Sequence, residues 1–466
     1  MIAIVLPSVV LFGGCGLSDA KNLRARQQTI AEIEKLGGKL EVDMKSPDRP
    51  VVSVDFSNTK IVDAGLVHLK GLTNLHTLNL WNTSITHSGL EHLQDLTSLE
   101  NLLLSRTQVI DIGLFHLQEL KNLKLLDLSS TAVSSIAMVV VDQGLPNIQD
   151  LWLSDTRVTN RGMEILARKS RHLRTLWLGG TTISDDGLVH LSKLTGLEEL
   201  RLWHAQVTND GLLSLKELMN LQRLDLGSTK VSDAGLVHLK GLSKLRELRL
   251  GGNDIADAGL RHLKELTSLE EIDLSYTKIS DAGLEHLKGL SNLRELRLGG
   301  NNVADAGLRH LKELTSLEEI DLSYTQVTDA GLVHLKGLTN LKTLSLVEAQ
   351  IADAGLVNLE EMSNLQELEL RRTAVTRAGL SSLVGLTELR LLDLSSTQVT
   401  DAGLANLEGL TNTEFLDLSS TMLTDAGLGS LKELTNLKVL YLRHNDVTDD
   451  GVGELEKVLP NCKIEH

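Results

Sequence analysis

Histidine is the residue type whose recurrence in this chain most resembles chemistry. Nine of its 15 histidines occupy one slot, GLxHL: His68, His92, His116, His190, His238, His262, His286, His310 and His334. Regularly spaced imidazoles suggest a metal ladder, yet a metal site needs several ligands converging on one point. Here there is one histidine per repeat, and the slot drifts to Asn358 and Asn406. No metal is expected. The aspartate that opens each DAG triplet is the next candidate, as a general acid or base. It reads instead as a helix-start residue, where a carboxylate meets exposed amides. There is no GxxxxGK[ST], HExxH, GxSxG or CxxC, and no nucleophile–base pair stands outside the repeat pattern. The chain is therefore expected to be neither an enzyme nor a cofactor protein.

The aromatic residues are more informative. All four tryptophans and all three tyrosines fall at outward strand or strand-end positions: Trp81, Trp152, Trp177, Trp203, Tyr276, Tyr324 and Tyr441. Nothing in the repeat requires an aromatic there. Trp152 and Trp177 occupy equivalent positions in successive repeats, Trp203 lies two places along in the next, and Arg201 and His204 flank it. Exposed contiguous aromatics mark interaction sites. The candidate partner-binding set is Trp81, Trp152, Trp177, Arg201, Trp203, His204, Tyr276 and Tyr324. The competing reading is that the rings pack on one another across strands. In the middle of the chain one outward column alternates in sign, as Asp225, Arg249, Asp273, Arg297 and Asp321. Its neighbour runs Arg246, Glu270, Arg294, Glu318 and Lys342. Charges that pair with each other leave little demand for a partner, which suggests a spacer.

The elements that must position these residues are written twice over in residues 245–340. Residues 245–292 and 293–340 agree at 41 of 48 positions, and each half splits into two 24-residue units. The unit reads LxxLxLxxTxITDAGLxxLxxLxx. Leu269, Ile272 and Leu274 point one way while Glu271, Asp273 and Ser275 point the other, the period of a half-buried strand. Leu284, Leu287 and Leu290 then follow at three-residue spacing, which suits a short helical or 3₁₀ segment over a core. Ser280 and Asp281 can cap its amides, and Gly283 permits close packing against the next coil. One such unit cannot bury enough apolar surface to order itself, so the coils must stack into a one-dimensional solenoid with a parallel sheet along one face. With 2% aromatic residues, the core is leucine, isoleucine and valine.

This recurring pattern, over residues 51–462, resembles the leucine-rich repeat proteins. Its ITDAGLxxL half is similar to the cysteine-containing subtype found in F-box proteins and to bacterial proteins built from the same unit. The resemblance implies an α/β fold, a curved horseshoe solenoid with a parallel concave sheet and short helices on the convex side. Partners of such repeats usually bind the concave face. Strands are expected near Val51, Leu75, Leu99, Leu123, Ile148, Leu173 and onward to Leu437, giving seventeen coils. A threonine after most strands (Thr83, Thr107, Thr131, Thr277, Thr325), replaced by Asn253, Asn301 and Asn445, is expected to form a stacked polar ladder. Ala205 and Ala349 break it.

The ends differ from the repeat. Leu23, Ile30, Ile33 and Leu36 form an apolar stripe that Gly37 and Gly38 terminate, so residues 16–50 are expected to cap the solenoid of residues 51–461. Residues 462–466 close it, with Cys462 expected to be buried. Residues 1–15 resemble a bacterial lipoprotein signal, an apolar run leading to Gly13, Gly14 and Cys15. The position three before Cys15 is Phe12 rather than an aliphatic residue, and no Lys or Arg precedes the run. The resemblance implies lipidation at Cys15 and an extracytoplasmic, membrane-anchored protein. The alternatives are plain secretion, or a cytoplasmic protein whose start is called too far downstream. A formal charge of −16 argues against a general nucleic-acid binder. The functional expectation is a monomeric, non-enzymatic scaffold for a protein or peptide partner, touching the membrane only through its lipid. Its alternatives are a structural envelope spacer without a specific ligand, and an F-box-like substrate receptor of a ubiquitin ligase. No F-box motif is present.

Overall fold

The computed structural model describes residues 17–466, so Cys15, where lipidation is expected, and the apolar run before it lie outside the described residues. The chain divides after Leu173 into two compact units. The first opens with the helix Leu17–Lys35, which ends where Gly37 takes a left-handed turn (φ +85). Ile33 from its apolar stripe is buried. The strand Lys39–Val42 then lies antiparallel on Val51–Asp55, with Leu40 opposite Val54. It covers the edge that a parallel sheet would otherwise leave unpaired. From Val51–Asp55 to Asp150–Trp152 five strands run parallel and in register, with Val54, Leu78, Leu102, Leu126 and Leu151 in one row.

The second unit contributes twelve parallel strands, from Thr175–Trp177 to Val439–Tyr441. Regular pairing starts two residues after the leucine that opens each repeat, for example at Thr77 rather than Leu75. A further parallel strand, Lys463–Glu465, pairs with Val439–Tyr441. Cys462 immediately precedes that strand. The register pairs Val439 with Lys463, so Cys462 falls opposite Lys438 rather than in the leucine slot, and it is only half-buried, not buried as expected. Among the described residues its coil is stacked on one side only, so the thiol is shielded from one side. Partial burial still pushes the thiol pKa up.

Both sequence periods face one interior. In the coil that opens at Leu269, the side chains of Leu269, Ile272, Leu274, Ile279, Leu284, Leu287 and Leu290 are fully buried. Opposite the strands, the DAG triplet does more than start a helix. Asp257 Oδ1 accepts from the Ser280 amide of the following coil at 2.8 Å, and its Oδ2 accepts from Ser280 Oγ at 2.5 Å. Asp63, Asp185, Asp305, Asp353 and Asp401 do the same to the next threonine. Each aspartate therefore ties its coil to the next rather than capping its own helix. The glycine of the next triplet makes room for it. A Cβ on Gly283 would stand 2.4 Å from Asp257 Oδ1. The close approach expected of Gly283 is thus to the preceding coil, not the next.

A second tie recurs on the loops, where Asn292 Nδ2 donates to the Thr267 carbonyl and Asn340 to Thr315, both at 2.9 Å. The threonine ladder is corrected in a similar way. Thr83, Thr107 and Thr131 donate to carbonyls three residues back within their own coil. Only the asparagines cross between coils, as when Asn301 donates to the Leu274 carbonyl and accepts from Thr277 Oγ1. Ala205 and Ala349 keep the backbone bond of the turn, at 3.0 Å in each case.

Candidate partner-binding face

The outward strand positions of the second unit gather Trp177, Arg201 and Arg223 around Glu199, with Trp203 and His204 just beyond the strand end. Alternation along Glu199–Arg201 puts Leu200 into the core and both charged side chains outward. In-register pairing sets Arg201 beside Trp177 on one strand and Asp225 on the other. The guanidinium carbon of Arg201 lies 5.1 Å from the centre of the Trp177 ring, within cation–π range. Glu199 holds both partners. Its Oε1 accepts from Arg201 Nε at 2.6 Å and from Trp177 Nε1 at 2.8 Å, and Arg223 Nε donates to Oε2 at 2.7 Å. Glu199 is 5% exposed. Burial alone would raise its carboxyl pKa, but the bonds from Arg201, Arg223 and Trp177 outweigh it and hold the group below its usual range.

The far side of Arg201 faces Asp225 at 3.9 Å and Glu247 at 3.6 Å. Burial pushes both of those carboxyls up. Trp203 lies flat on the preceding coil: a Cβ on Gly179 would stand 2.2 Å from its ring. His204 meets it edge-on, with ring centres 5.5 Å apart. The tryptophans are half-buried rather than freely exposed, so each is both packed and presented.

Trp81 and Trp152 belong to the first unit. Arg106 sits 5.8 Å over the Trp81 ring. Tyr276 and Tyr324 stand apart from the tryptophan group, two coils from each other, and are 65% and 42% exposed. Sequence reasoning missed Glu199, Arg223 and Glu247, because unremarkable charges at outward positions say nothing until strand register makes them neighbours.

The charged middle is self-paired, but not as the columns suggested. Arg249 and Arg297 turn to glutamates rather than to the aspartates beside them. Arg249 reaches Glu247 and Glu271 at 2.9 Å; Arg297 reaches Glu271 at 3.4 Å, Glu319 at 3.1 Å, and Glu295. Asp225, Asp273 and Asp321 accept instead from amides two residues on. Glu271, Glu295 and Glu319 are in-register neighbours around one guanidinium. Desolvation and the two flanking glutamates outweigh Arg297 and push Glu295 up to about 7. The outer column pairs as expected, with Arg246 on Glu270 and both Arg294 and Lys342 on Glu318.

The histidine slot spreads one imidazole per coil along the helical side. Among the described residues no group of His, Cys, Asp or Glu is placed to hold a metal ion. No described helix is long and apolar enough to cross a membrane.

The leucine-rich repeat family model matches eight stretches: residues 169–192, 217–239, 241–264, 265–288, 289–312, 313–335, 386–407 and 433–455. Together with the stacked coils, these matches place the chain among the leucine-rich repeat proteins. No curated protein matches the chain. Among solved structures it is similar to a leucine-rich repeat protein of Leptospira interrogans, at 22% identity and TM-score 0.57, over 80% of this chain and 92% of that one. Mouse RP105, solved in complex with MD-1, is 20% identical over 89% of this chain and 79% of its own, at TM-score 0.53. The Arabidopsis receptor kinase HAESA ectodomain, solved with a peptide hormone, is 17% identical over 92% and 82%, at TM-score 0.52. At these identities the likeness is one of fold.

Proposed function

We propose that the chain is a non-enzymatic scaffold that binds a protein or peptide partner on its sheet face, with the binding energy centred on Trp177, Arg201 and Trp203. One observation carries this reading. Arg201 is held rigidly against Trp177 by Glu199, beside a second tryptophan laid on a glycine backbone. Arginine and tryptophan dominate interface energetics, and side chains already locked in place lose little entropy on binding. The partners in the RP105 and HAESA structures, MD-1 and a peptide hormone, are consistent with a protein or peptide ligand. The partner-binding set extends to Trp81, Trp152, His204, Tyr276 and Tyr324. The scaffold acts as a monomer without cofactor or nucleic acid, outside the bacterial cytoplasm, anchored through lipid on Cys15.

A structural spacer is the second reading, favoured by the self-paired Arg249 and Arg297 network. Capture of partners from cell extract by wild-type and Trp177→Ala chains separates the two. A partner retained only by wild type supports the scaffold, while identical captures from both favour the spacer. Cys15→Ala should release the protein from membranes; intact Met1 on soluble wild-type protein, found by mass spectrometry, would end the lipoprotein assignment.

A further inference from the structure

Tyr276 and Tyr324 are copies of one feature made by the internal duplication. Both close a strand in the left-handed region (φ +54 and +57), where a bulky side chain is uncommon. Their amides donate to carbonyls of the next coil at 2.7 Å, so both backbones are fixed in the same way. Between them the rim is reduced to Gly299 and Gly300, with the Tyr276 ring lying across Gly300.

Three residues before each tyrosine stands an aspartate, Asp273 or Asp321. One oxygen of each accepts the amide two residues on, at 2.8 Å. Neither has an ion-pair partner within 4 Å among the described residues, because Arg249 and Arg297 are committed to glutamates. Each copy thus presents an exposed aromatic ring and, on the same coil, a half-buried carboxylate whose in-register arginine neighbours form no ion pair with it inside 4 Å. A ring face and a carboxylate together favour a cation. Arg371 already reaches the edge of the second copy, its guanidinium donating to the Tyr324 hydroxyl at 3.3 Å.

The two copies are two strands apart, about 9.6 Å at the usual strand spacing. A polyproline II segment advances about 9.3 Å in three residues and returns to the same face at every third. A β-extended peptide would turn its third residue to the opposite face. We propose that the Tyr276–Asp273 and Tyr324–Asp321 pairs form a two-point dock for a basic segment in polyproline II conformation, with arginine or lysine at every third residue. The proposal rests on the sheet side being a docking surface, and it names the chemistry of a partner segment at a place distinct from Trp177.

A fluorescein-labelled proline peptide with arginine at every third position tests it by anisotropy. Its control has the same composition with arginine at every fourth position. The matched peptide should bind about tenfold tighter than the control, since only it engages both points at once. Tyr276→Ala and Asp273→Asn should each remove most of that advantage, and Tyr276→Ala/Tyr324→Ala should abolish it. Asparagine keeps the oxygen that accepts the Ser275 amide, and thermal melts check that every variant is folded. Equal affinity for the two peptides, or undiminished binding by folded variants, overturns the proposal in favour of general attraction to an acidic chain. Val333→Ala, exposed on the helical side, should leave the peptide affinity unchanged. If the peptide shows no preference while Trp177-dependent capture persists, the dock fails and the scaffold reading stands.

Discussion

The helical side and the sheet side of these coils follow opposite rules. On the helical side the same atoms do the same work in coil after coil: aspartate to the next amide, glycine beneath it, asparagine to the previous loop. On the sheet side successive coils present Trp177, Arg201, Asp225, Arg249 and Asp273 at one register position. Stacking is a nearest-neighbour contract that every coil must honour. Outward strand positions take no part in it and are free to acquire binding. Several joints depart from it on the helical side, with His87, Ser135, Asn160, Asn209 and Arg377 in the aspartate position. At Arg377 the nearest atoms to a Cβ on Gly403 are at 3.3 Å instead of the 2.5 Å that Asp353 imposes on Gly379.

The largest effect expected is on binding. Trp177→Ala should weaken partner binding by about 2 kcal/mol or more, measured by calorimetry once a partner is captured. The ring is half-buried and bonded to Glu199, so the variant should also lose about 1 kcal/mol of stability, and Trp177→Phe, which keeps a ring but not the Nε1 donor, should recover only part of it. If stability falls while binding survives, the ring only packs and the sheet side is no different from the helical side.

Next come the joints. Gly283→Ala must displace Asp257 from Ser280, and urea unfolding should show a loss of about 1–2 kcal/mol after the gain in helix propensity. In an Asp257→Ala background the same change should become nearly neutral, a coupling of about 1 kcal/mol. Gly403→Ala, facing Arg377, should stay within about 0.5 kcal/mol of wild type. Equal losses at Gly283 and Gly403 would break the pairing of aspartate with glycine.

A pH dependence separates the charged middle from both sides. Glu295 binds its proton more tightly folded (about 7) than at its ordinary 4.5. Its contribution to stability is therefore complete below about pH 4.5 and lost as pH rises through about 7. The group keeps some solvent contact, so the loss should be about 1 kcal/mol. Comparing wild type with Glu295→Gln by chemical unfolding across pH 4–9 should show a steeper decline in wild type, the difference falling between about pH 4.5 and 7. The smallest effect belongs to an exposed pair. Arg246→Ala, which frees Glu270 (3.1 Å), should cost less than about 1 kcal/mol by the same measurement, and less still in high salt.

Much of the fold was legible because its information is local and repeated. Period-two alternation at Leu269–Ser275 and the three-residue spacing of Leu284–Leu290 each name an element, and recurrence at 24 residues names the stacking. The parallel sheet and the short helices opposite it followed from that. The site was legible only in part. Tryptophan and tyrosine stand out by rarity, whereas Glu199 is one of many glutamates and became visible only when strand pairing put it between Trp177, Arg201 and Arg223.

The sequence by itself therefore determined the coil, its period and which face of each strand is buried, because burial periodicity is written in consecutive residues. Only the tertiary structure decided which coil each polar side chain serves. Asp257 looked like a cap for its own helix and bonds the next coil. Arg249 and Arg297 looked paired with aspartates beside them and chose glutamates. Cys462 looked buried and was covered from one side. In each case the outcome depends on atoms about 24 residues away, brought within 3–4 Å by stacking, and no local pattern records that distance.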